Sequence, residues 1–213
     1  MTVPLLLASQ SPARLSTLRS VGIEPEVLVS GVDEDAVLAA LTATHREQGW
    51  GTPDPADAVL ALARAKAEHI AAEYDTGAIV LGCDSMLELE GEIYGKPATA
   101  QIARERWQAM RGRTGVLHTG HWLVDDREDG SHGSLGATSS TTVHFADLSD
   151  DEIDAYIATG EPLQVAGAFT VDGLGGAYVT GIEGDYHGVV GVSLPLLRDL
   201  VTQLGVAFHD LRA

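Results

Sequence analysis

Short apolar segments alternate with amphipathic segments through the first half of the sequence, and this pattern limits the fold more than any other feature. Residues 3–8, 26–30 and 79–83 are predicted to be strands, because each is a short and mainly apolar run bounded by turn residues. Residues 57–74 are the clearest predicted helix, since they carry an apolar stripe at helical spacing. Because strands that alternate with helices form α/β proteins, the pattern predicts an α/β fold.

Capping and turn residues place the remaining elements. Ser11 and Pro12 are typical of a helix start, and this first helix is expected to end at Gly22. A hairpin centred on Glu90-Gly91 adds antiparallel strands, so the predicted sheet is mixed. The other predicted helices are residues 36–46, 99–110, 149–160 and 194–204, and the other predicted strands are residues 115–125, 138–145 and 177–182.

Length and charge limit the organisation and the partners of the chain. The 213 residues show no repeat or linker, which allows one domain, or one domain with two lobes around a cleft. The net charge is −18 without a visible basic patch, which argues against nucleic acid as a partner. No apolar run approaches the roughly 18 residues that span a bilayer, and the N-terminal run is too short for a signal peptide. The sequence therefore predicts no membrane partner and a cytoplasmic location.

The cysteine and the lysines are few enough to be informative. A single cysteine excludes an internal disulfide, and Cys83 follows an apolar run, so a core position is expected for it. Only two of the thirteen basic residues are lysines, Lys66 and Lys96. Each lysine either lies where a compact ammonium is needed or occurs there by chance.

The first candidate site is the corner between the first strand and the first helix. The free N–H groups and the dipole at a helix N-terminus favour anions. Ser9 adds a hydroxyl at this corner, and Arg14 adds a guanidinium that can bind a phosphate through two hydrogen bonds. An ordinary strand–turn–helix connection is the alternative interpretation.

The second candidate site is Asp84, directly after the predicted strand 79–83. A carboxylate where a buried strand ends is a common position for a catalytic or metal-binding acid, whereas a turn cap is the alternative. An aspartyl-phosphate phosphatase would have a second Asp two residues later, and Met86 at that position excludes this class. Lys96 follows within Gly95-Lys96-Pro97, where it could bind a phosphate or lie solvated in a loop.

Four further features carry weaker signals. Glu34 lies in a predicted acidic loop, and Lys66 lies on the apolar stripe of the helix 57–74; a solvated loop and a snorkelling lysine are the alternatives. His118 and His121 are three residues apart on a predicted strand and so face opposite sides, which argues against a shared metal. The Gly-rich stretch 160–191 matches neither the Walker motif nor G-x-G-x-x-G, and no Ser–His–Asp or Cys–His arrangement is evident.

Together, these segments resemble the Maf family in order and spacing over nearly the whole chain. The motifs are L-A-S-x-S-P-x-R at 7–14, D-E at 33–34, A-K-A at 65–67, G-x-D-S at 82–85, G-K-P at 95–97, T-G at 119–120, Y-I-x-T-G-E-P at 156–162, A-G-A-F at 166–169 and V-V-G-V-S-L-P-L at 189–196. The resemblance implies a long mixed sheet in a two-lobed single domain, residues 1–213, around a central cleft, like the inosine triphosphate pyrophosphatases. It also implies a homodimer and a role in removing noncanonical nucleotides or in arresting septum formation.

The resemblance further implies a nucleoside triphosphate pyrophosphatase that releases the monophosphate and pyrophosphate with Mg²⁺ or Mn²⁺. Asp84 would be the catalytic acid or base and a metal ligand, and Glu34 would be the second metal carboxylate. Ser9, Arg14, Lys66 and Lys96 would bind the triphosphate. The alternative is a nucleotide-binding regulator of cell division that turns over little or nothing.

The sequence departs from the Maf pattern at several positions. Ala13 stands where the family usually has a second Arg, and Ser85 stands where it usually has Thr. Val165 and Asp172 replace the usual Lys and Gln. Ser85 and Asp172 are therefore candidate substrate-binding residues. Since an ionised Asp only accepts hydrogen bonds, Asp172 predicts a base preference broader than, or shifted from, the dTTP and UTP or the 7-methyl-GTP preferences of family members.

Overall fold

The computed structural model describes residues 2–213 as an α/β fold with one seven-stranded mixed sheet. The strands are β1 (Leu5–Leu7), β2 (Glu26–Val27), β3 (Ile79–Leu89), β4 (Glu92–Tyr94), β5 (Thr114–Asp125), β6 (Ser134–Phe145) and β7 (Val179–Glu183). Their order in the sheet is β2-β1-β3-β5-β6-β7, and β4 pairs with β3. β1 is parallel to β2 and β3, whereas β4 and β7 pair in antiparallel fashion with β3 and β6. The predicted fold class is confirmed.

Seven α-helices accompany the sheet in the described part of the chain. They are α1 (Pro12–Ser20), α2 (Glu34–Gln48), α3 (Pro55–Glu73), α4 (Ala100–Met110), α5 (Asp150–Ala158), α6 (Tyr186–Val190) and α7 (Leu194–Gln203). Short 3₁₀ segments lie at Glu161–Gln164, Ala166–Ala168, Leu174–Tyr178 and Phe208–Leu211. Between residues 2 and 213, no helix is both long enough and apolar enough to span a bilayer.

The chain forms two compact units. The first unit contains the residues up to Asp84, Thr119–Ser139 and Gly191–Ala213, and the second contains Ser85–His118 and Ser140–Val190. Each unit has its own core. The core of the second unit is built around Trp107, which makes T-shaped contacts with Phe145 and Tyr156. The predicted arrangement of two lobes around a central cleft stays a prediction.

Helix starts follow the capping residues closely. Ser11 caps α1 with Pro12 as its first residue, Thr99 caps α4, and Ser149 forms a capping box with Glu152 at α5. All three predicted starts are confirmed. The predicted start of α2 at Ala36 is wrong, because the Asp33 side chain accepts the N–H of Ala36 at 3.0 Å and so begins the helix earlier. Glu34 therefore lies in the first turn of α2 and not in a loop.

Strand β3 is longer than the sequence predicts. It continues through Asp84 to Leu89, because Leu87–Leu89 pair with β4 across the confirmed hairpin at Glu90-Gly91. The prediction that Asp84 follows the end of a strand is thus wrong: the polar residues Asp84 and Ser85 interrupt the apolar run but not the backbone pairing. Asp84 instead lies beyond the end of the shorter neighbouring strand β1, whose last residue, Leu7, pairs with Leu81.

Two glycines allow α3 to lie directly against the sheet. A Cβ atom on Gly82 would lie 2.1 Å from the carbonyl oxygen of Ala63, and one on Gly120 would lie 2.3 Å from that of Val59. The same Gly82 Cβ would lie 2.9 Å from the backbone nitrogen of Ala67. Since Val59, Ala63 and Ala67 are spaced by four residues, they share one face of α3. This contact fixes which residues of α3 reach β3.

Candidate functional site

Lys66 joins two carboxylates within the first unit. Its Nζ atom lies 2.6 Å from Oδ1 of Asp84 and 2.7 Å from Oε1 of Glu34. The Lys66 side chain is 12% exposed and that of Asp84 is 13% exposed, whereas that of Glu34 is 54% exposed. Lys66 is therefore a mostly buried ion-pair partner and does not snorkel to the solvent. Glu34 lies in the first turn of α2 and not in a loop, and its side chain stays largely exposed while it pairs with Lys66.

The local packing explains why these three residues meet. Gly82 brings α3 against β3, and Lys66 immediately precedes Ala67, one of the α3 residues at that contact. Asp84 lies two residues after Gly82, and side chains two positions apart on a strand leave the same face. Glu34 reaches the cluster from the first turn of α2. Two carboxylates and one ammonium give the cluster a net charge of −1, which suits a further cation.

The chemistry of the cluster fits a hard divalent cation. Mg²⁺ is usually held by one or two carboxylates, and water and substrate phosphates complete its octahedral shell. The shortest contacts of Lys66 are with Oδ1 of Asp84 and Oε1 of Glu34, and each carboxylate has a second oxygen that could serve as a metal ligand. Among residues 2–213, no group of three or more His, Cys, Asp or Glu side chains is placed to hold a metal ion. Asp84 and Glu34 could therefore hold a metal only as a partial shell.

The corner between β1 and α1 is hydrogen-bonded to Cys83, the residue before Asp84. Ser9 is buried, and its hydroxyl oxygen accepts hydrogen bonds from the backbone N–H of Ser11 at 3.2 Å and from Nη1 of Arg14 at 3.0 Å. Nη1 of Arg14 also donates to the carbonyl oxygen of Cys83 at 2.8 Å, and its Nε donates to that of Gly191 at 3.1 Å. Arg14 thus ties the first candidate site to the residue that precedes Asp84.

Cys83 occupies the core position expected for it. It is fully buried, and burial raises the pKa of its thiol to about 12 against the opposing field of Arg14. A thiol with this pKa is neutral near pH 7 and is a poor nucleophile. At this point of β3, the side chain that could take part in a reaction is therefore the carboxylate of Asp84 and not the thiol of Cys83.

The other three predicted site residues belong to the second unit. Ser85 is half-buried on β3, and since adjacent strand residues alternate it does not share a face with Asp84. Lys96 is exposed between Gly95 and the buried Pro97. Asp172 is exposed just before the 3₁₀ segment Leu174–Tyr178. The roles assigned to these residues stay predictions.

Glu161 organises the Gly-rich turn and was missed by the sequence reasoning. Its carboxylate accepts hydrogen bonds from the backbone N–H groups of Leu174 and Gly175, at 3.0 and 2.9 Å. It also accepts from the hydroxyls of Tyr156 and Thr170, at 2.7 and 2.6 Å. Burial alone would raise the pKa of Glu161, but these hydrogen bonds hold it below its ordinary value. The carboxylate that caps the turn after Gly173 is therefore that of Glu161 and not that of Asp172.

The two histidines of β5 have separate partners. His121 is buried; its Nε2 accepts the backbone N–H of Ser193 at 2.8 Å, and its Nδ1 lies 3.0 Å from the carbonyl oxygen of Thr119. Both ring nitrogens of His121 thus have a backbone partner. His118 lies 2.8 Å from the Ser140 hydroxyl through Nδ1, and 3.2 Å from the Glu88 carboxylate through Nε2.

The contacts of His118 form a Glu–His–Ser chain that the sequence did not reveal. Glu88, His118 and Ser140 lie on β3, β5 and β6, which are far apart in sequence and become neighbours only in the sheet. Only the pairing of these three strands places the carboxylate, the imidazole and the hydroxyl together.

Comparison with known proteins agrees with the motifs. The family model described as Maf-like protein matches residues 4–204. The chain belongs to the Maf family. A protein of Streptomyces coelicolor named nucleoside triphosphate pyrophosphatase is 54% identical to this Maf chain over 210 residues, 98% of this chain and 94% of the relative. A protein of Leifsonia xyli with the same name is 51% identical over 97% of this chain and 95% of the relative.

A more remote likeness exists among solved structures. The Ham1 protein of Staphylococcus aureus matches with a TM-score of 0.41 and 13% identity, over 68% of this chain and 72% of that chain. This likeness carries no argument about the site. Within this Maf chain, the A-K-A motif and the G-x-D-S motif meet at the Gly82 contact, which accounts for the small residue Ala67 directly after Lys66.

Proposed function

We propose that this chain is a metal-dependent nucleoside triphosphate pyrophosphatase that releases a nucleoside monophosphate and pyrophosphate. The observation that carries the proposal is the Lys66 ammonium, held between Asp84 and Glu34. The name of the relatives at 54% and 51% identity supports the same reaction, and the enzyme class predicted from the sequence agrees with that name.

The residues of the site have distinct roles in the proposed reaction. A water oxygen forms a bond to the α-phosphorus, the bond from that phosphorus to the bridging oxygen breaks, and pyrophosphate leaves with the electron pair. Asp84 accepts the proton of the water as general base. Glu34 and Asp84 would hold a divalent cation, which when bound would supply charge neutralisation at the phosphate oxygens. Lys66 contributes positive charge toward the departing pyrophosphate, where negative charge develops.

The corner between β1 and α1 supports phosphate binding in the same proposal. The N-terminus of α1 provides N–H groups and a positive dipole end. Arg14 holds the Ser9 hydroxyl and the Cys83 carbonyl, so the corner is rigid before substrate arrives. The resemblance to the family assigns Lys96 to the triphosphate as well. A homodimer and a cytoplasmic location complete the proposal and rest on the family resemblance and on the sequence alone.

Product analysis tests the reaction type. We expect incubation with dTTP, UTP or other nucleoside triphosphates and Mg²⁺ or Mn²⁺ to yield the monophosphate and pyrophosphate in equal amounts, and omission of the metal to abolish turnover. Chromatography of the nucleotides, together with separate assays of pyrophosphate and orthophosphate, measures both products. Formation of the diphosphate and orthophosphate would contradict the proposal. No turnover across a broad nucleotide panel would favour the regulator of cell division.

Substrate choice is tested at Asp172, which we propose to lie near the base. An ionised Asp accepts from ring N–H and amino groups but cannot donate to the carbonyl oxygens of uracil or thymine. We expect Asp172→Gln to shift relative kcat/KM toward dTTP and UTP by up to about tenfold, the upper end for one hydrogen bond between neutral groups. The panel is dTTP, UTP, CTP, GTP and 7-methyl-GTP, with Asp151→Gln on the exposed side of α5 as control. A profile confined to dTTP and UTP, and unchanged by Asp172→Gln, refutes the role of Asp172.

A further inference from the structure

Helix α4 holds the segment that carries Lys96. The carbonyl oxygen of Gly95 accepts a hydrogen bond from Nη1 of Arg106, and a second from the backbone N–H of Gly167 at 3.1 Å. The guanidinium of Arg106 also lies over the ring of Tyr94, 5.4 Å from its centroid. Two hydrogen-bond donors thus fix Gly95, directly before Lys96. A cation–π contact holds Tyr94, directly before Gly95. All of these groups belong to the second unit.

Pro97 restrains the other side of Lys96. The proline ring is buried, and the residue before a proline is restricted to extended backbone conformations. The backbone of Lys96 is therefore held at Gly95 and at Pro97, while its side chain is exposed. An ammonium on such a backbone loses less conformational freedom when it binds an anion, because only its side-chain torsions remain to be ordered.

Trp107 holds the segment that supplies the second donor. Its indole Nε1 donates to the carbonyl oxygen of Ala168 at 2.8 Å, and this hydrogen bond is buried. Gly167 and Ala168 both have left-handed backbone, with φ of 70° and 61°. For an alanine this conformation costs energy, so it must be imposed by the surroundings. The bond from Trp107 supports the turn that directs the N–H of Gly167 to Gly95.

We propose that Arg106 is a positioning residue for Lys96, and that α4, through Arg106 and Trp107, pre-organises the Lys96 ammonium for a triphosphate group. The proposal rests on the proposed function, since it takes the phosphates as the ligand of Lys96. A merely structural Arg106 would stabilise the second unit without any effect specific to Lys96. The two roles differ in how changes at Arg106 and Lys96 combine.

A double-mutant cycle separates the two roles. The proteins are the full chain, Arg106→Met, Lys96→Met and the double variant; methionine keeps most of the side-chain volume and removes the charge. The readouts are kcat and KM for a hydrolysed triphosphate, the affinity for a non-hydrolysable α,β-substituted nucleoside triphosphate with Mg²⁺ by calorimetry, and the thermal midpoint. Arg104→Met is the matched control, because Arg104 lies on the same helix and pairs with Asp150 and Asp154 instead of Gly95.

We expect Lys96→Met to weaken binding of the analogue by about 10- to 100-fold, the range for a hydrogen bond to a charged group. Arg106→Met should weaken it by about tenfold in the full chain but by less than about twofold in the Lys96→Met background, because its effect passes through Lys96. Arg106→Lys should restore part of the affinity, since an ammonium can still donate to the Gly95 carbonyl. Arg104→Met should leave the affinity unchanged.

Each opposite outcome overturns the inference. Equal effects of Arg106→Met in both backgrounds would make Arg106 a residue of the fold alone. Unchanged affinity for the analogue in Lys96→Met would mean that Lys96 does not bind the triphosphate. Unchanged affinity in Arg106→Met would mean that Arg106 does not position Lys96. If the enzyme is active but the effects of the two substitutions on affinity are additive, the proposed function stands and the inference about Arg106 fails. If the two substitutions combine as predicted but the chain binds the analogue without hydrolysing any triphosphate, the inference about Arg106 stands and the proposed function fails.

Discussion

Asp84→Asn is expected to lower kcat by about 10²–10⁴-fold while the protein stays folded. The amide cannot take a proton from water and is a weaker ligand for a hard cation. It has the same shape as the carboxylate, and its oxygen can still accept the hydrogen bond that Lys66 donates at 2.6 Å. Glu34 remains as an ionised partner of Lys66. The loss should therefore appear in turnover and not in the thermal midpoint.

Initial rates of pyrophosphate release and thermal denaturation of the same samples measure this effect. Asp151→Asn, an exposed position on α5, is the matched control and should change neither quantity. A kcat close to that of the unchanged protein would remove Asp84 from the chemistry, even if the chain proves to be a pyrophosphatase. A large drop in the thermal midpoint would instead assign Asp84 to the stability of the cluster with Lys66.

Local signals made the helix starts predictable. The capping side chains of Ser11, Thr99 and Ser149 bond to backbone N–H groups within three or four residues. The residues beside each cap therefore suffice to determine where the helix starts. The exceptions are α2, where Asp33 begins the helix although the segment reads as an acidic loop, and α3, where Asp54 caps a helix that starts two residues before the predicted Asp57. Several adjacent acids satisfy both a loop and a helix start, and only the hydrogen bond to Ala36 distinguishes them.

The course of β3 could not be predicted, because its cause is not local. The run of apolar residues ends at Cys83, whereas the strand is extended to Leu89 by its pairing with β4. The error moved Asp84 from the middle of a strand to its end, yet left it in the correct segment. In β3 the polar residues Asp84 and Ser85 therefore do not mark the end of the strand.

The candidate site was predictable only in part for the same reason. Lys66 and Asp84 are 18 residues apart in sequence, and neither residue alone indicates that they touch. The resemblance to the Maf family named both residues, and the packing of α3 on Gly82 supplies the physical reason for their contact. Glu161 was missed because its four hydrogen-bond donors come from Tyr156, Thr170 and the Gly-rich turn, and these converge only in the folded unit.

Gly82→Ala is expected to have the largest effect on stability. The added Cβ would lie 2.1 Å from the carbonyl oxygen of Ala63 and 2.9 Å from the backbone nitrogen of Ala67, and backbone atoms of a packed helix cannot move aside as a flexible side chain can. Separation of α3 from β3 would also pull Lys66 away from Asp84. We expect a loss on the order of 3 kcal/mol or more in the free energy of unfolding, at the upper end for overpacked cores.

Urea denaturation of the Gly82→Ala and Gly95→Ala variants measures this loss against a matched control. A Cβ on Gly95 would meet no atom within 4 Å, and Gly95 does not have left-handed backbone. Gly95→Ala should therefore change the free energy of unfolding by no more than about 0.5 kcal/mol. Equal stability of the two variants would mean that α3 can rise from the sheet at little cost, and the placement of Lys66 against Asp84 would then need a cause other than the missing side chain of Gly82.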